Sequence, residues 1–454
     1  MRKSTLSALL ASAGSVSAKL EVDLGSPDSI KAAAKNVAFD LMSYYKGNQS
    51  GEIPGILSQP PPGGDYYWWH GAVVWSTLLD YWRYTGDDTY NGVTSQSILF
   101  QRGQGNNFMP ANWTASLSND DQASWALAAI SAAEYNFPNP PAGEPSWIDL
   151  AGAVFATQAE RFDDTCDGGL RWQVPPTNNG YNYKNSISNA AFIALAARLS
   201  RYTGNQTYAE AAERTWTWLT NVGYIDDTFN VFDGGHVETN CTDINKVQFS
   251  FNAGSLLQGA AYLYNSSTDD AQNRWRERLS GLTNRTLNYY FPDNGTFIEL
   301  ACEREDTSLC TVDMEFFRGI FVRQLATVSQ LAPFLSSVIA PKLRISAEGA
   351  VKSCSGGDNG RLCGFQWTKE NTNGISNYQN QANALSALSA LLVDSQKALA
   401  TGANPSQGGG NNANNNGNGN GASNNNNNGN DRSAGAATRA TVGLMVAGLV
   451  ASLL

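Results

Sequence analysis

Arg83-Tyr84-Thr85-Gly86-Asp87-Asp88-Thr89-Tyr90 and Arg201-Tyr202-Thr203-Gly204-Asn205-Gln206-Thr207-Tyr208 are two copies of one pattern, each standing where one helical periodicity stops and the next begins. The glycine suits the left-handed residue that closes a helix, and the polar residue after it suits the cap of its successor. A helical hairpin repeated along a chain cannot bury its own apolar face, so neighbours must stack on it. Outward from the two copies, the same periodicity recurs. Residues 28–46 carry Ile30, Ala33, Ala34, Val37, Ala38, Leu41 and Met42 at helical spacing. Comparable stretches lie near 71–84, 88–102, 119–136, 146–162, 186–202, 205–222, 248–264, 269–290, 312–334, 336–352 and 376–399. Strand-like alternation is confined to short pieces such as Phe229-Asn230-Val231-Phe232. Twelve helices make six hairpins, and a closed all-α ring with six helices inside and six outside satisfies them best. An open solenoid is the alternative.

Composition limits the partners. Of 454 residues 42% are hydrophobic, enough for a large core, but only 15% are charged. The polar surface therefore comes mainly from Asn, Ser, Thr, Gln and Gly. Thirty Lys and Arg against 40 Asp and Glu leave a net charge of −10, which disfavours nucleic acid or an anionic bilayer surface as the main partner. Aromatics reach 11%, with 12 Trp and 18 Tyr, more than packing alone usually calls for. Two His and six Cys show none of the usual zinc-ligand spacings, so no metal or other cofactor is implied.

The ends of the chain point to the secretory pathway. Basic Arg2-Lys3, an apolar run over 6–16 and small residues at Val16-Ser17-Ala18 read as a signal peptide, residues 1–18. At the other end, Ser433-Ala434-Gly435 is followed by a short polar spacer and the uncharged tail 442–454. That tail is too short to span a bilayer, which takes about 20 residues. Small triplet, spacer and apolar end form the signal for a glycosylphosphatidylinositol anchor, with attachment at Ser433 and removal of 434–454. Residues 401–433, dominated by Asn and Gly, read as a disordered stalk, because they cannot bury enough apolar surface to offset their ordering entropy. What remains, residues 19–400, is one domain. The expected location is the outer face of the plasma membrane and the cell wall.

Sequons at Asn48, Asn112, Asn205, Asn240, Asn265, Asn284 and Asn294 agree with that route. Six Cys in an oxidising compartment should pair, and six allow 15 connectivities. Proximity favours Cys302 with Cys310 and Cys354 with Cys363, leaving Cys166 with Cys241, all as structural bridges.

In a closed ring of helices the cleft lies at one end, where loops and helix ends converge. Ser118-Asn119-Asp120-Asp121-Gln122-Ala123-Ser124-Trp125 places two adjacent carboxylates at the start of a helix. Neighbouring residues there point about 100° apart, with Cβ atoms roughly 5–6 Å from each other. That suits the ~5–5.5 Å separation of a retaining glycosidase pair. Repulsion should hold one acid protonated while the other stays ionised. The competing reading is capping, since Asp is favoured in any first helical turn. A metal-chelating Asp-Asp-x-x-Asp box would need an acid where Ser124 stands, which disfavours magnesium chemistry. Asp87-Asp88, Asp163-Asp164, Asp226-Asp227 and Asp269-Asp270 lie in turns and read as solvated caps.

Aromatics and amides would complete a sugar cleft. Tyr66, Tyr67, Trp68 and Trp69 cluster on the loop before a helix, suited to stacking on sugar rings, although two or more of them are expected to pack the ring instead. Gln122 and Trp125 follow the acid pair. Asn185 and Asn189 lie one helical turn apart, and Trp172, Asp233 and Asn252 are further candidates.

Asp65-Tyr66-Tyr67-Trp68-Trp69, Leu78-Leu79-Asp80-Tyr81-Trp82-Arg83-Tyr84-Thr85-Gly86-Asp87, Asn119-Asp120-Asp121-Gln122-Ala123, Phe251-Asn252-Ala253-Gly254, Ala260-Ala261-Tyr262-Leu263-Tyr264-Asn265 and the segment from Cys354 to Cys363 with Gly364 resemble the fungal members of glycoside hydrolase family 76. The likeness runs in order through residues 30–395. It implies an (α/α)6 barrel acting on α-1,6-linked mannose, that is, a mannan endo-1,6-α-mannosidase. The family's acid pair falls on Asp120 as nucleophile and Asp121 as general acid/base. For the lipid-anchored members the resemblance implies a role in fungal wall assembly. The donor there is mannan or the anchor glycan, and the product is an anchor-derived glycoprotein joined to wall β-glucan. His70 stands where many relatives are expected to carry Glu or Gln. A wall lectin or scaffold that keeps the cleft without turnover is the rival reading.

Overall fold

In the computed structural model, which describes residues 19–60, 63–292, 295–303, 309–370 and 376–403, both copies of the repeat end a helix on a left-handed glycine. Gly86 and Gly204 have φ of 78° and 75°, and each donates its N–H to the carbonyl four residues back. The flanking threonines act alike: Thr85 and Thr203 donate to Tyr81 and Leu199, then accept from the N–H of Asp87 and Asn205. The signal-peptide segment 1–18, residues 404–454 with Ser433, and Asn294 lie outside the described residues. The other six sequon asparagines are exposed.

Among the described residues there are twelve α-helices: α1 (Pro27–Met42), α2 (Trp68–Thr85), α3 (Asn91–Phe100), α4 (Asn119–Tyr135), α5 (Trp147–Ala159), α6 (Ser186–Thr203), α7 (Gln206–Asn221), α8 (Ser250–Ser266), α9 (Asp269–Tyr290), α10 (Val312–Leu331), α11 (Ser336–Ser353) and α12 (Tyr378–Ala390). The even-numbered helices pack in sequence, α2 on α4, α4 on α6, α6 on α8, α8 on α10 and α10 on α12, and α12 returns to α2. The odd-numbered helices pack outside them. Strands are few and short. β1 (Tyr183–Asn185) pairs antiparallel with β2 (Gly234–His236), and β3 (Cys354–Gly356) with β4 (Leu362–Cys363). Of the strand-like run at 229–232, only Val231 bridges, to Ile225.

Burial follows the two classes of helix. α12 is buried along its whole length, and α6 and α8 nearly so. A helix covered on every side is apolar or small on every side. Ala190, Ala191, Ala194, Ala196 and Ala197 serve this on α6. Gly259 of α8 has no room for a side chain, since a Cβ there would sit 2.7 Å from Ile193, and at Gly319 of α10 it would sit 2.9 Å from the Asn383 backbone. By contrast, α7 buries one stripe, Ala211, Ala212, Thr215, Trp216, Trp218 and Leu219.

Polar side chains cross the ring's interior. Glu134 of α4 pairs with Arg198 of α6 at 2.6 Å and accepts from Tyr262 of α8 at 2.7 Å. Asp80 of α2 pairs with Arg323 of α10 and accepts from Tyr135 of α4. Five of the six inner helices are thereby linked through two carboxylates.

The expected helix at 376–399 ends at Ala390, because the chain there crosses the helix C-termini as a strap. Arg83 donates to the Lys397 carbonyl and Arg201 to those of Leu399 and Ala400. The arginines of the two repeat copies thus do the same work. Ala400 N–H reaches Glu134 O and Gly402 N–H reaches Tyr202 O, so the first expected stalk residues are docked. Helix α2 begins three residues earlier than its periodicity suggests, so Trp68 and Trp69 are helical rather than in a loop. Disulfides join Cys166 to Cys241, Cys302 to Cys310 and Cys354 to Cys363, the pairing that proximity favours. Among the described residues no helix is long and apolar enough to cross a membrane.

Glu134→Ala leaves Arg198 buried without its counter-ion. The expected cost is about 3–5 kcal/mol, read as a lowered Tm in calorimetry, and an unchanged Tm would show that the pair holds nothing together.

Candidate active site

The even-numbered helices bring their N-termini to one mouth. Around it lies a cleft of 770 Å³ lined by the first turns of α2, α4, α6, α8 and α10 together with segments near β1 and β2. Each first turn offers N–H groups without intrahelical partners and the positive end of the helix dipole. Acids are stabilised in that setting, and four line the cleft, Asp120, Asp121, Asp233 and Asp313; among the described residues that line it there is no Lys or Arg.

Ser118 opens α4 in extended conformation, and its hydroxyl accepts the Asp121 N–H at 3.1 Å. The cap sets the turn that aims Asp120 and Asp121 into the cleft. Asp120 Oδ1 accepts from Ser188 Oγ of α6 at 3.2 Å. Both carboxyls are held above the ordinary range, first by desolvation. Hydroxyl bonds from Ser118 and Ser188 partly offset this for Asp120, leaving it at about 6. Asp121 also feels the charge of Asp120 and lies well above the ordinary value. The two acids thus resist ionising together, and the Ser188 hydroxyl bond, made to Asp120, favours the charged form there, an arrangement suited to acid-assisted displacement.

The walls differ in chemistry. On one side Trp69 stacks on Phe251 with centroids 5.8 Å apart and planes 12° from parallel, and Phe317 packs 5.4 Å from Phe251. The other side carries Trp172, 37% exposed, with Asn185, Asp233 and Tyr183. Asn185 caps α6, and Asp233 accepts from the Tyr183 hydroxyl at 2.7 Å. Burial raises the Asp233 carboxyl despite that bond. Tyr67, 42% exposed, and Asn252 complete the sequence-derived residues found in the cleft.

Five expected contacts lie elsewhere. Tyr66 is fully buried, its ring between His70 and Trp113. Trp68 stacks on Trp125 and donates to Gln101, and Trp125 stacks in turn on Phe108, so both are core. Gln122 points to the far side of α4, donating to Asn107 O and accepting from Arg161. Asn189 is occupied by the Leu170 backbone, accepting its N–H and donating to its carbonyl. Sequence reasoning missed Asp313, Tyr183, Phe249, Phe251 and Phe317, of which Phe251 stood inside a quoted motif. Among the described residues no group of three or more His, Cys, Asp or Glu is placed to hold a metal ion.

With this geometry in place, comparison with known proteins is informative. The model of glycosyl hydrolase family 76 matches residues 29–403. The mannan endo-1,6-alpha-mannosidase DCW1 of Saccharomyces cerevisiae is 40% identical over 372 residues, covering 81% of this chain and 80% of that protein. The crystal structure of Dfg5 from Chaetomium thermophilum in complex with glucosamine is 48% identical, covers 84% of this chain and 94% of that one, and superposes with a TM-score of 0.81. An inactive variant of the α-1,6-mannanase of Salegentibacter in complex with α-1,6-mannotriose, 16% identical with a TM-score of 0.63, covers 80% of this chain and 99% of that one and shares the fold.

A carboxyl raised in the folded state costs stability once the pH exceeds its unfolded value. Asp121→Asn is thus expected to raise Tm at pH 7, with the gain shrinking as the pH falls toward 4. A lower Tm at pH 7 would mean that the Asp121 charge is favourably held.

Proposed function

The chain belongs to glycosyl hydrolase family 76, and from that premise we propose that it is a retaining glycosidase and transglycosidase acting on α-1,6-linked mannose. The supporting observation is the adjacent acid pair Asp120 and Asp121 at the start of α4, both raised by desolvation, in a cleft with aromatic and polar walls. The ring of six inner and six outer helices is read as the (α/α)6 barrel.

In the first step the Asp121 proton passes to the glycosidic oxygen as that oxygen leaves C1, while a carboxylate oxygen of Asp120 bonds to C1. In the second step Asp121 takes a proton from an incoming hydroxyl, whose oxygen bonds to C1 and frees Asp120. Water as acceptor gives hydrolysis. A sugar hydroxyl gives transfer. The apolar wall of Trp69, Phe251 and Phe317 favours a sugar over bulk water beside the pair. Sequence signals for secretion and a lipid anchor favour action at the outer face of the plasma membrane, and relatives named mannan endo-1,6-alpha-mannosidase favour mannan as donor. The donor in this reading is mannan or an anchor glycan, the acceptor a wall β-glucan. The glucosamine bound in the Chaetomium relative, an amino sugar, is compatible with such a donor and with a cleft whose four acids face no Lys or Arg among the described lining residues.

Asp120→Asn and Asp121→Asn are each expected to lower turnover of an α-1,6-mannose oligomer by about 10²–10⁴-fold or more while binding persists. Wild-type protein that binds the oligomer without cleaving or transferring it would favour the lectin reading. Proton NMR of the first-formed product should show the α anomer, and a β product would mean inversion. Mass spectrometry with and without a β-glucan acceptor distinguishes transfer from hydrolysis.

A further inference from the structure

Asp313, which none of the quoted motifs contains, is held on one oxygen by two ring N–H groups. It sits in the first turn of α10, where Thr311 caps the helix, and its side chain is 35% exposed. Oδ1 accepts two bonds, from Trp69 Nε1 at 3.1 Å and His70 Nε2 at 2.8 Å. Oδ2 has no hydrogen-bond partner among the described residues and is free to meet a ligand in the cleft that Asp313 lines.

The histidine behind it is fully buried. Its Nδ1 faces the hydroxyl of Tyr378 at 2.9 Å and the backbone N–H of Tyr67 at 3.4 Å. The N–H can only donate, and burial holds the imidazole below its usual pKa, in the neutral form. A neutral ring that accepts at Nδ1 carries its proton on Nε2. His70 therefore donates to Asp313. Residues from α2, α10 and α12 thus act together to hold one oxygen of one carboxylate and leave the other open.

Trp69 and Phe251, stacked on each other and almost fully buried, line the same cleft with only their edges. An apolar edge near a carboxylate acceptor suits a pyranose, whose C–H groups pack while its hydroxyls donate. We propose that Asp313 is a sugar-binding carboxylate, its Oδ2 accepting hydroxyls of a mannose unit held in the cleft beside Trp69, with His70 and Tyr378 as positioning residues that act through it. This assignment rests on the glycosidase reading above.

The test uses the Asp120→Asn/Asp121→Asn double variant, which binds without turnover, and calorimetric titration with α-1,6-mannotriose. Adding Asp313→Ala is expected to weaken binding roughly 10–100-fold, the usual worth of a hydrogen bond to a charged group, and Asp313→Asn by less. His70→Gln, whose amide N–H takes the place of Nε2–H, should stay within about threefold of the parent, while His70→Leu should lose about tenfold. A purely structural histidine would not be rescued by Gln in this way. Circular dichroism confirms folding, and Asp313→Asn carries the test if the alanine variant fails to fold. A double variant that binds while Asp313→Ala and Asp313→Asn bind as well as it does overturns the Asp313 assignment alone. A double variant that ignores the trisaccharide overturns the mannoside reading and this inference with it.

Discussion

Two carboxylates on consecutive residues, half-buried at the positive end of one helix, set the terms for the rest of the site. Adjacent charges in a desolvated space cannot both form cheaply, so the site holds one proton between them near neutral pH. Ser188 favours charge on Asp120 by bonding to it and not to Asp121. The surrounding architecture maintains that condition. Five helix N-termini meet at the mouth and moderate the cost of four acids with no Lys or Arg among the described lining residues. The aromatic wall covers one side of the space, and charge interactions strengthen where a ligand displaces water from it.

The opposite end of the ring does different work. There the helix C-termini present carbonyls and the two repeat arginines, and the strap at 396–403 joins them. Between the ends, Glu134 and Asp80 collect partners from five inner helices. Close contacts at Gly259 and Gly319 leave little slack in the walls. Rigidity at one end and in the middle is what allows first-turn side chains at the other end to be aimed accurately. The disulfides reinforce this where regular structure is thin: Cys166–Cys241 ties the loops near β1 and β2, and Cys302–Cys310 ties the segment that leads into α10.

Much of the helical plan could be read from periodicity, because the outer helices are amphipathic and the repeat marks their junctions. The acid pair was legible for a local reason, an N-cap serine followed by two acids at a helix start. The residues around it were harder. Inner helices are buried on all sides, so periodicity does not separate a cleft-facing residue from one facing the neighbouring helix. Asp121 and Gln122 are adjacent, yet one lines the cleft and the other bonds to Asn107 and Arg161. The aromatic run divides similarly, Tyr67 and Trp69 to the cleft, Tyr66 and Trp68 to the core. Asp313 had a partial signal: it stands two residues after the capping Thr311, as Asp120 stands two residues after Ser118. Comparing every helix start for that pattern would have raised it.

Division of labour within the acid pair is the claim to test directly. A fluorinated mannosyl fluoride, which slows release of a covalent sugar, followed by peptide mass spectrometry, identifies the attacking oxygen's residue. The account predicts a mannosyl adduct on Asp120 in the wild type and in Asp121→Asn given an activated leaving group, and none in Asp120→Asn. An adduct on Asp121, or turnover of the natural linkage with no adduct and an inverted product, would contradict it.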